Sequence, residues 1–150
     1  MTKDKKLILK GYNALIQFDI TKVFTDTNTW DGGFGFQGVL YIECNGFKLK
    51  DDSFHSTSEA TRKFLEELQN IYNNLKGEAN YRSDYEDNLN LNIKMGQCGH
   101  VMIAVDYRDY SLENIKISFQ TDTDQTYLLE TITNLKEIEV YFKSLNTSLS

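Results

Sequence analysis

The chain has 150 residues, of which 40% are hydrophobic and 13% aromatic, a composition that favours one folded domain over disorder. Its formal net charge of -6 argues against nucleic acid as a partner, because phosphate backbones are bound by basic surfaces. The longest apolar run, residues 101–105, is far shorter than a membrane span, and residues 7–9 are too few for the apolar part of a signal peptide. We therefore expect a cytoplasmic, monomeric protein that does not bind a membrane.

The two cysteines, Cys44 and Cys98, form no CxxC or Cys/His cluster. They are typical of free thiols in a reducing compartment, although the sequence is also compatible with one disulfide between them. The chain contains no proline, no linker and no detectable internal repeat, so residues 1–150 are interpreted as a single domain.

The first third of the chain is predicted to form strands. Alternating apolar residues predict one or two strands within residues 7–24 and another after residue 34. Asn45-Gly46 lies between two alternating runs, a strong signal for a type I′ hairpin.

The first helix is predicted over residues 56–76. Residues 56–59 (Ser-Thr-Ser-Glu) form a potential capping box with Ser56 as the N-cap, and Gly77 is a natural stop. An apolar stripe recurs at steps of three and four residues: Ala60, Phe64, Leu68, Ile71 and Leu75.

The second half predicts four further strands and one long helix. Strands are expected over residues 78–83, 89–95, 101–107 and 115–119, the last three as an antiparallel meander because their connections are short. A helix over about residues 122–145 follows, with Asp122 as its N-cap and Gln125 at N3. Its stripe is Leu128, Ile132, Leu135, Ile138, Phe142 and Leu145, with Tyr127 leading into it. The predicted class is α+β, a largely antiparallel sheet with two amphipathic helices.

No recognisable catalytic, cofactor-binding or metal-binding motif is present. His55 and His100 have no Cys, Ser or Asp at a motif spacing, and Gly32-Gly33-x-Gly35 precedes a strand, which favours a turn over a phosphate loop. The pair Asp122 and Asp124 is better explained by helix capping than by calcium binding.

Trp30, Phe34 and Phe36 are compatible with a sugar-binding platform, but their alternation favours core positions. Residues 78–113 carry seven acids and three bases. Such a run is usually a solvated face, and the alternative is an interaction patch for a basic partner.

Several short motifs together point to a family. They are Leu-x-x-Ile-Tyr-x-x-Leu from Leu68 to Leu75, then Gly77 and Ala79, Glu86-Asp87 before Leu89-Asn90-Leu91, Gly99-His100-Val101, and Asp-Gln-Thr-Tyr-Leu from Asp124 to Leu128. Trp30-Asp31 fits near the start of the same pattern. In this order the motifs resemble the WapI-type immunity proteins, which bacteria use against wall-associated and contact-dependent toxins.

The resemblance implies an antitoxin that binds one toxin domain, often a nuclease, and it transfers no catalytic residue. We expect the toxin contacts in an acidic, tyrosine-containing set: Asp84, Tyr85, Glu86, Asp87, Asp106, Asp109 and Tyr110. A second possible patch comprises Asp51, Asp52, Glu59, Glu66 and Glu67. The competing functions are a small hydrolase that uses His100 and a carbohydrate- or protein-binding module that uses Trp30, Phe34 and Phe36.

Overall fold

Eight strands, two α-helices and a short 3-10 helix (Gln97–Gly99) form in the part of the chain that a computed structural model describes, residues 5–83, 88–110 and 114–149. In chain order the strands and α-helices are β1 (Lys6–Lys10), β2 (Ala14–Phe24), β3 (Gly35–Cys44), β4 (Phe47–Thr57), α1 (Ser58–Asn74), β5 (Gly77–Arg82), β6 (Leu89–Met95), β7 (His100–Arg108), β8 (Lys116–Asp124) and α2 (Gln125–Leu149). The predicted α+β class is confirmed, with the strands divided between two sheets.

Each sheet is a four-stranded antiparallel meander, in the orders β1-β2-β3-β4 and β5-β6-β7-β8. Short connections favour this arrangement, because consecutive antiparallel strands need only a tight turn between them. The β3–β4 hairpin turns at Asn45 (φ 51°) and Gly46 (φ 85°), the two positive φ angles that a type I′ turn requires. The predicted hairpin and the predicted meander of the second half are both confirmed.

One hydrophobic core joins the two sheets and the two helices. The ring of Phe18 on β2 lies 6.1 Å from that of Tyr81 on β5, so the inner faces of the sheets meet. From α2, Phe142 reaches the same core and its ring lies 5.1 Å from that of Phe34. The predicted stripe of α2 is confirmed, since Leu128, Ile132, Leu135, Ile138 and Phe142 are buried and Leu145 packs against the core.

Polar side chains of the helices bond to the backbone of the first strand in each sheet. Asn134 of α2 accepts a hydrogen bond from the Ile8 N–H of β1 (2.9 Å), and Thr131 donates to the Ile8 carbonyl (2.7 Å). In the same way Glu67 of α1 accepts from the Asn80 N–H of β5 (2.8 Å). These bonds satisfy backbone groups that an edge strand otherwise leaves unpaired.

The two halves of the described chain share one order of elements, four antiparallel strands followed by a helix. Each helix covers the edge strand of the other half, because α1 bonds to β5 and α2 bonds to β1. The sequence shows no matching repeat, so the two halves share the order of their elements and not their sequence.

The N-cap of the first helix lies one residue after the predicted one. Thr57, not Ser56, is the N-cap, and its hydroxyl accepts from the Ala60 N–H (3.0 Å). Ser56 is instead buried against the Tyr81 hydroxyl (2.5 Å), and Glu59 pairs with Arg62, so the predicted capping box does not form. A tertiary partner for Ser56 overrides the local capping pattern.

The end of α1 also differs from the prediction. Leu75, rather than Gly77, takes the left-handed conformation (φ 57°, ψ 30°) of the C-cap, and its N–H bonds to the Ile71 carbonyl. Leu75 was predicted in the buried stripe, but this turn leaves it 52% exposed. Gly77, with φ 104°, opens β5.

The second helix begins at Gln125, because β8 continues to Asp124. Asp124, not the predicted Asp122, accepts from the Thr126 N–H (2.9 Å) and the Thr126 hydroxyl. These bonds, led by the one from the Thr126 hydroxyl, lower the pKa of Asp124. Asp122 pairs with His100 (3.3 Å) on the exposed side of β8 and β7.

Removing the side chain that covers β1 is expected to destabilise the fold. Asn134→Ala leaves the Ile8 N–H without its acceptor and should lower the free energy of unfolding by about 1–3 kcal/mol in urea denaturation. Thr133→Ala is the matched control, because that exposed hydroxyl bonds to the Leu129 carbonyl within its own helix, and its effect should stay within about 0.5 kcal/mol. Equal losses for the two variants would contradict the edge-covering role of Asn134.

Candidate acidic interface

Two connections lie side by side at one end of the second sheet. The β5–β6 connection runs between Ser83 and Asn88, and the β7–β8 connection follows Arg108. The Arg108 N–H bonds to the Asn88 carbonyl (2.8 Å), and the Asn88 amide bonds back to the Arg108 carbonyl (2.8 Å). We call this end of the sheet, residues 83–88 and 108–115, the loop end.

Backbone hydrogen bonds fix the bases of both connections. The Ser83 N–H donates to the Leu89 carbonyl (2.9 Å), and the buried Ser83 hydroxyl accepts from the Leu89 N–H (3.0 Å). In the other connection the Asp109 N–H donates to the Ile115 carbonyl (2.8 Å). The loop end is therefore held by the sheet at its described residues, which limits the entropy lost when a partner binds.

A carboxylate from the first sheet reaches this end. The Tyr107 hydroxyl donates to the Asp51 carboxylate of β4 (2.7 Å). Burial, this bond and the nearby charges of Asp51 and Asp109 raise the pKa of Tyr107 above its usual value of 10, so Tyr107 stays a donor even in mildly basic solution. Asp51 and Asp109 thus share one neighbourhood, although 58 positions separate them in the chain.

The structure describes three of the seven residues predicted to contact a toxin. Asp84, Tyr85, Glu86 and Asp87 lie outside the described residues, between the fixed ends Ser83 and Asn88. Asp109 and Tyr110 lie in the adjacent connection, where Tyr110 is 51% exposed and the Arg108 guanidinium lies 4.9 Å from the centre of its ring. Asp106 projects from the outer face of β7, where it accepts from the Ser118 hydroxyl (2.6 Å).

The alternative acidic patch is divided by the fold. Glu59 and Glu66 both pair with Arg62, at 2.6 and 2.5 Å, and Glu67 covers the edge of β5. Asp52 pairs with Lys50 (3.6 Å), whereas Asp51 belongs to the Tyr107 neighbourhood. Arg62 thus offsets part of the charge of Glu59 and Glu66, and Asp51 joins the loop end.

The proposed aromatic platform does not form. Phe34 and Phe36 are buried, but the prediction that Trp30 is a core residue is wrong, because its ring is 55% exposed. Trp30 belongs to a tight turn before β3, where the strand alternation has not begun. The Arg82 guanidinium lies 5.1 Å from the centre of its ring. The nearby glycines, Gly32 and Gly33, were the sequence signal for this turn.

An exposed aromatic pair occupies a different part of the molecule. Tyr127 was predicted to lead into the buried stripe but is 41% exposed, and its ring meets that of Tyr12 edge-on at 6.2 Å. The Tyr12 N–H bonds to the Asp122 carbonyl (2.8 Å), which ties the β1–β2 turn to the end of β8, just before α2. This pair therefore has a structural role.

The histidines do not form a hydrolase site in the described chain. His100 has Asp122 as its partner, but no hydroxyl or thiol within the described ranges bonds to it. His55 bonds to the Ser53 carbonyl (2.7 Å). Among residues 5–83, 88–110 and 114–149, no three His, Cys, Asp or Glu side chains lie close enough to hold a metal ion. Cys44 and Cys98 are both free thiols.

The chain belongs to the immunity protein WapI-like family, whose model matches residues 7–143. The resemblance seen in the motifs is thereby confirmed, and it supports an immunity role through binding of a cognate toxin. No curated protein and no solved structure matches the chain. None of the helices in the described ranges is long and apolar enough to cross a membrane.

The Tyr107–Asp51 hydrogen bond is expected to stabilise the contact between the two sheets. Tyr107→Phe removes only the hydroxyl and should lower the free energy of unfolding by about 1.5–3 kcal/mol, as for a hydrogen bond to a charged group. In an Asp51→Ala background the same change should cost much less, which a double-mutant cycle measures by urea denaturation. Additive effects would show that the two side chains do not interact.

Proposed function

We propose that this immunity protein neutralises a basic toxin domain, a nuclease, by placing the carboxylates of its loop end in the toxin's active site. The observation that carries the proposal is the charge of the two adjacent connections. The loop end, residues 83–88 and 108–115, contains five acids against one base, Arg108: Asp84, Glu86, Asp87, Asp109 and Glu113.

The chemistry follows from what a nuclease binds. A nuclease active site holds a phosphate backbone and is therefore basic. Carboxylates on a protein can occupy the positions of the phosphates, and complementary charge steers the encounter toward association rates of about 10⁸–10⁹ M⁻¹s⁻¹ at low salt. The chain's net charge of -6 acts in the same direction at longer range.

The geometry of the loop end supports this role. Arg108 and Asn88 hold the two connections together through a reciprocal pair of 2.8 Å hydrogen bonds. Asp51 adds a carboxylate from the other sheet through Tyr107. The exposed ring of Tyr110 offers an apolar contact among these charges, and tyrosine is one of the residues enriched where interfaces are strongest.

The proposal also implies where and how the chain acts. An inhibitor of a nuclease must meet the toxin where it acts, so the chain works in the cytoplasm. It acts there as a monomer and needs no cofactor. It performs no catalysis, because occupation of the toxin's site suffices. Its gene is expected next to the gene for a large toxin delivered by contact or from the cell wall.

Charge reversal at the loop end tests the proposal. Asp109→Lys, and separately the pair Glu86→Lys and Asp87→Lys, should lower the association rate with the C-terminal domain of the neighbouring toxin by roughly tenfold or more at low salt. The loss should shrink as salt rises, because the Debye length falls from about 30 Å at 0.01 M to about 8 Å at 0.15 M. Surface plasmon resonance across a salt series measures both.

Glu137→Lys is the matched control for Asp109→Lys. It makes the same change in net charge at an exposed position of α2, the helix that packs on β1 and α1. Its effect on the association rate should be small. If the loop-end variants match this control in rate and salt dependence, the loop end is not the inhibitory surface.

A further inference from the structure

Strand β8 is an edge strand that lacks the protection given to the other edges of the two sheets. Asn134 of α2 bonds to β1, and Glu67 of α1 bonds to β5. Strand β4 carries four charged residues within residues 48–52, and its register with β3 shifts there. Charges and bulges keep an edge from pairing with another chain. Strand β8 has one charged residue between positions 115 and 121, and its register with β7 is unbroken.

The backbone of β8 points alternately toward β7 and away from it, as in any antiparallel pair. Two hydrogen bonds show which residues point which way. The Ile115 carbonyl accepts from the Asp109 N–H on the β7 side, whereas the Asp122 carbonyl accepts from the Tyr12 N–H on the opposite side. The even-numbered residues therefore direct their N–H and C=O groups away from β7. Those between these two markers are Lys116, Ser118 and Gln120.

These outward backbone groups are open to a partner. Among the residues that the structure describes, none outside the second sheet bonds to the N–H or carbonyl of Lys116, Ser118 or Gln120, and all three residues are exposed. The β1–β2 turn closes the far end of the strand, where a Cβ atom at Gly11 would lie 2.4 Å from the Thr121 hydroxyl. We call the open part, residues 116–120, the β8 edge.

Apolar side chains line one side of the β8 edge. Alternate side chains of a strand share a face, so Ile115, Ile117 and Phe119 form one row. Ile115 is 44% exposed, and the other two are half-buried against the core. Donors and acceptors repeated at every second residue match an extended backbone. The edge therefore fits a polypeptide strand whose alternate side chains are apolar and cover this row.

Charge and position favour the toxin domain over a second copy of this chain as the source of that strand. A second copy carries the same net charge of -6, and like net charges keep proteins apart. The toxin domain of the proposed function is basic and is attracted instead. The loop end extends to residue 115 and the β8 edge begins at residue 116, so a toxin bound at the loop end already lies beside the edge.

We infer that the β8 edge pairs with an extended segment of the toxin domain, which adds a fifth strand to the second sheet. The inference rests on the proposed function, since the partner is the same toxin domain. The two surfaces have different effects on binding. The carboxylates of the loop end act at long range and set the association rate, whereas the backbone hydrogen bonds of the β8 edge form only on contact and set the lifetime of the complex.

A proline at the centre of the edge tests the inference with the full chain and the purified C-terminal domain of the toxin encoded next to its gene. Ser118→Pro removes an outward N–H that makes no bond to β7, a position where edge strands accept proline. It should raise the dissociation rate roughly tenfold or more, with little change in the association rate. Ser118→Ala is the matched control. It loses the same hydroxyl and its bond to Asp106 but keeps the N–H, so its rates should stay within about twofold of the wild type.

Amide exchange in the unaltered chain, followed by NMR, gives a second readout that does not depend on the folding of Ser118→Pro. In the free chain the amides of Ser118 and Gln120 should exchange fast and those of Ile117 and Phe119 slowly, because only the latter bond to β7. On toxin binding the two fast amides should slow by roughly tenfold or more.

Three results would overturn the inference. If the toxin domain binds but the amides of Ser118 and Gln120 stay fast, the toxin does not pair with the edge and the proposed function still stands. If these amides slow as the concentration of this chain alone rises, the added strand comes from a second copy. A wild-type chain that does not bind the toxin domain removes both the inference and the proposed function.

Discussion

The fold depends on how the edge strands β1 and β5 are covered by the two helices. A meander of four strands leaves an open edge at its first strand, and an open edge invites pairing with another chain. Here the Ile8 backbone is satisfied by Thr131 and Asn134 of α2, and the Asn80 N–H by Glu67 of α1. Because each helix serves the sheet of the other half, neither half is complete alone. The pairing makes the two meanders one domain.

This arrangement leaves the ends of the sheets available for binding. The helices bury their apolar stripes in the shared core and cover β1 and β5. The connections between strands therefore contribute less to the stability of the fold and are available for binding. At the loop end, hydrogen bonds of 2.8–3.0 Å hold the bases of two acidic connections, and Tyr107 links them to Asp51 of the other sheet. A charged surface on a rigid support loses little entropy when it binds.

Periodic features of the fold were predictable, and features that depend on tertiary partners were not. The stripe of α2 and the Asn45-Gly46 turn follow from local rules, and both are present. Ser56 fails as a cap because Tyr81 takes its hydroxyl. Half of the candidate site could be anticipated, since a meander brings alternate connections to one end. The approach of Asp51 to Tyr107 joins positions 56 apart, and no local pattern encodes it. Trp30 is exposed because it lies in the turn before β3, where the alternation that predicts a core position does not apply.

Hydrogen–deuterium exchange on the complex shows whether the toxin domain covers the loop end. The chain is compared free and bound to the C-terminal domain of the neighbouring toxin, and protection is read peptide by peptide. If the loop end is the inhibitory surface, residues 83–88 and 108–115 gain protection on binding, and the Asn45-Gly46 hairpin of the first sheet gains none. Protection confined to that hairpin and the Tyr12 turn, with the loop end unchanged, would contradict it.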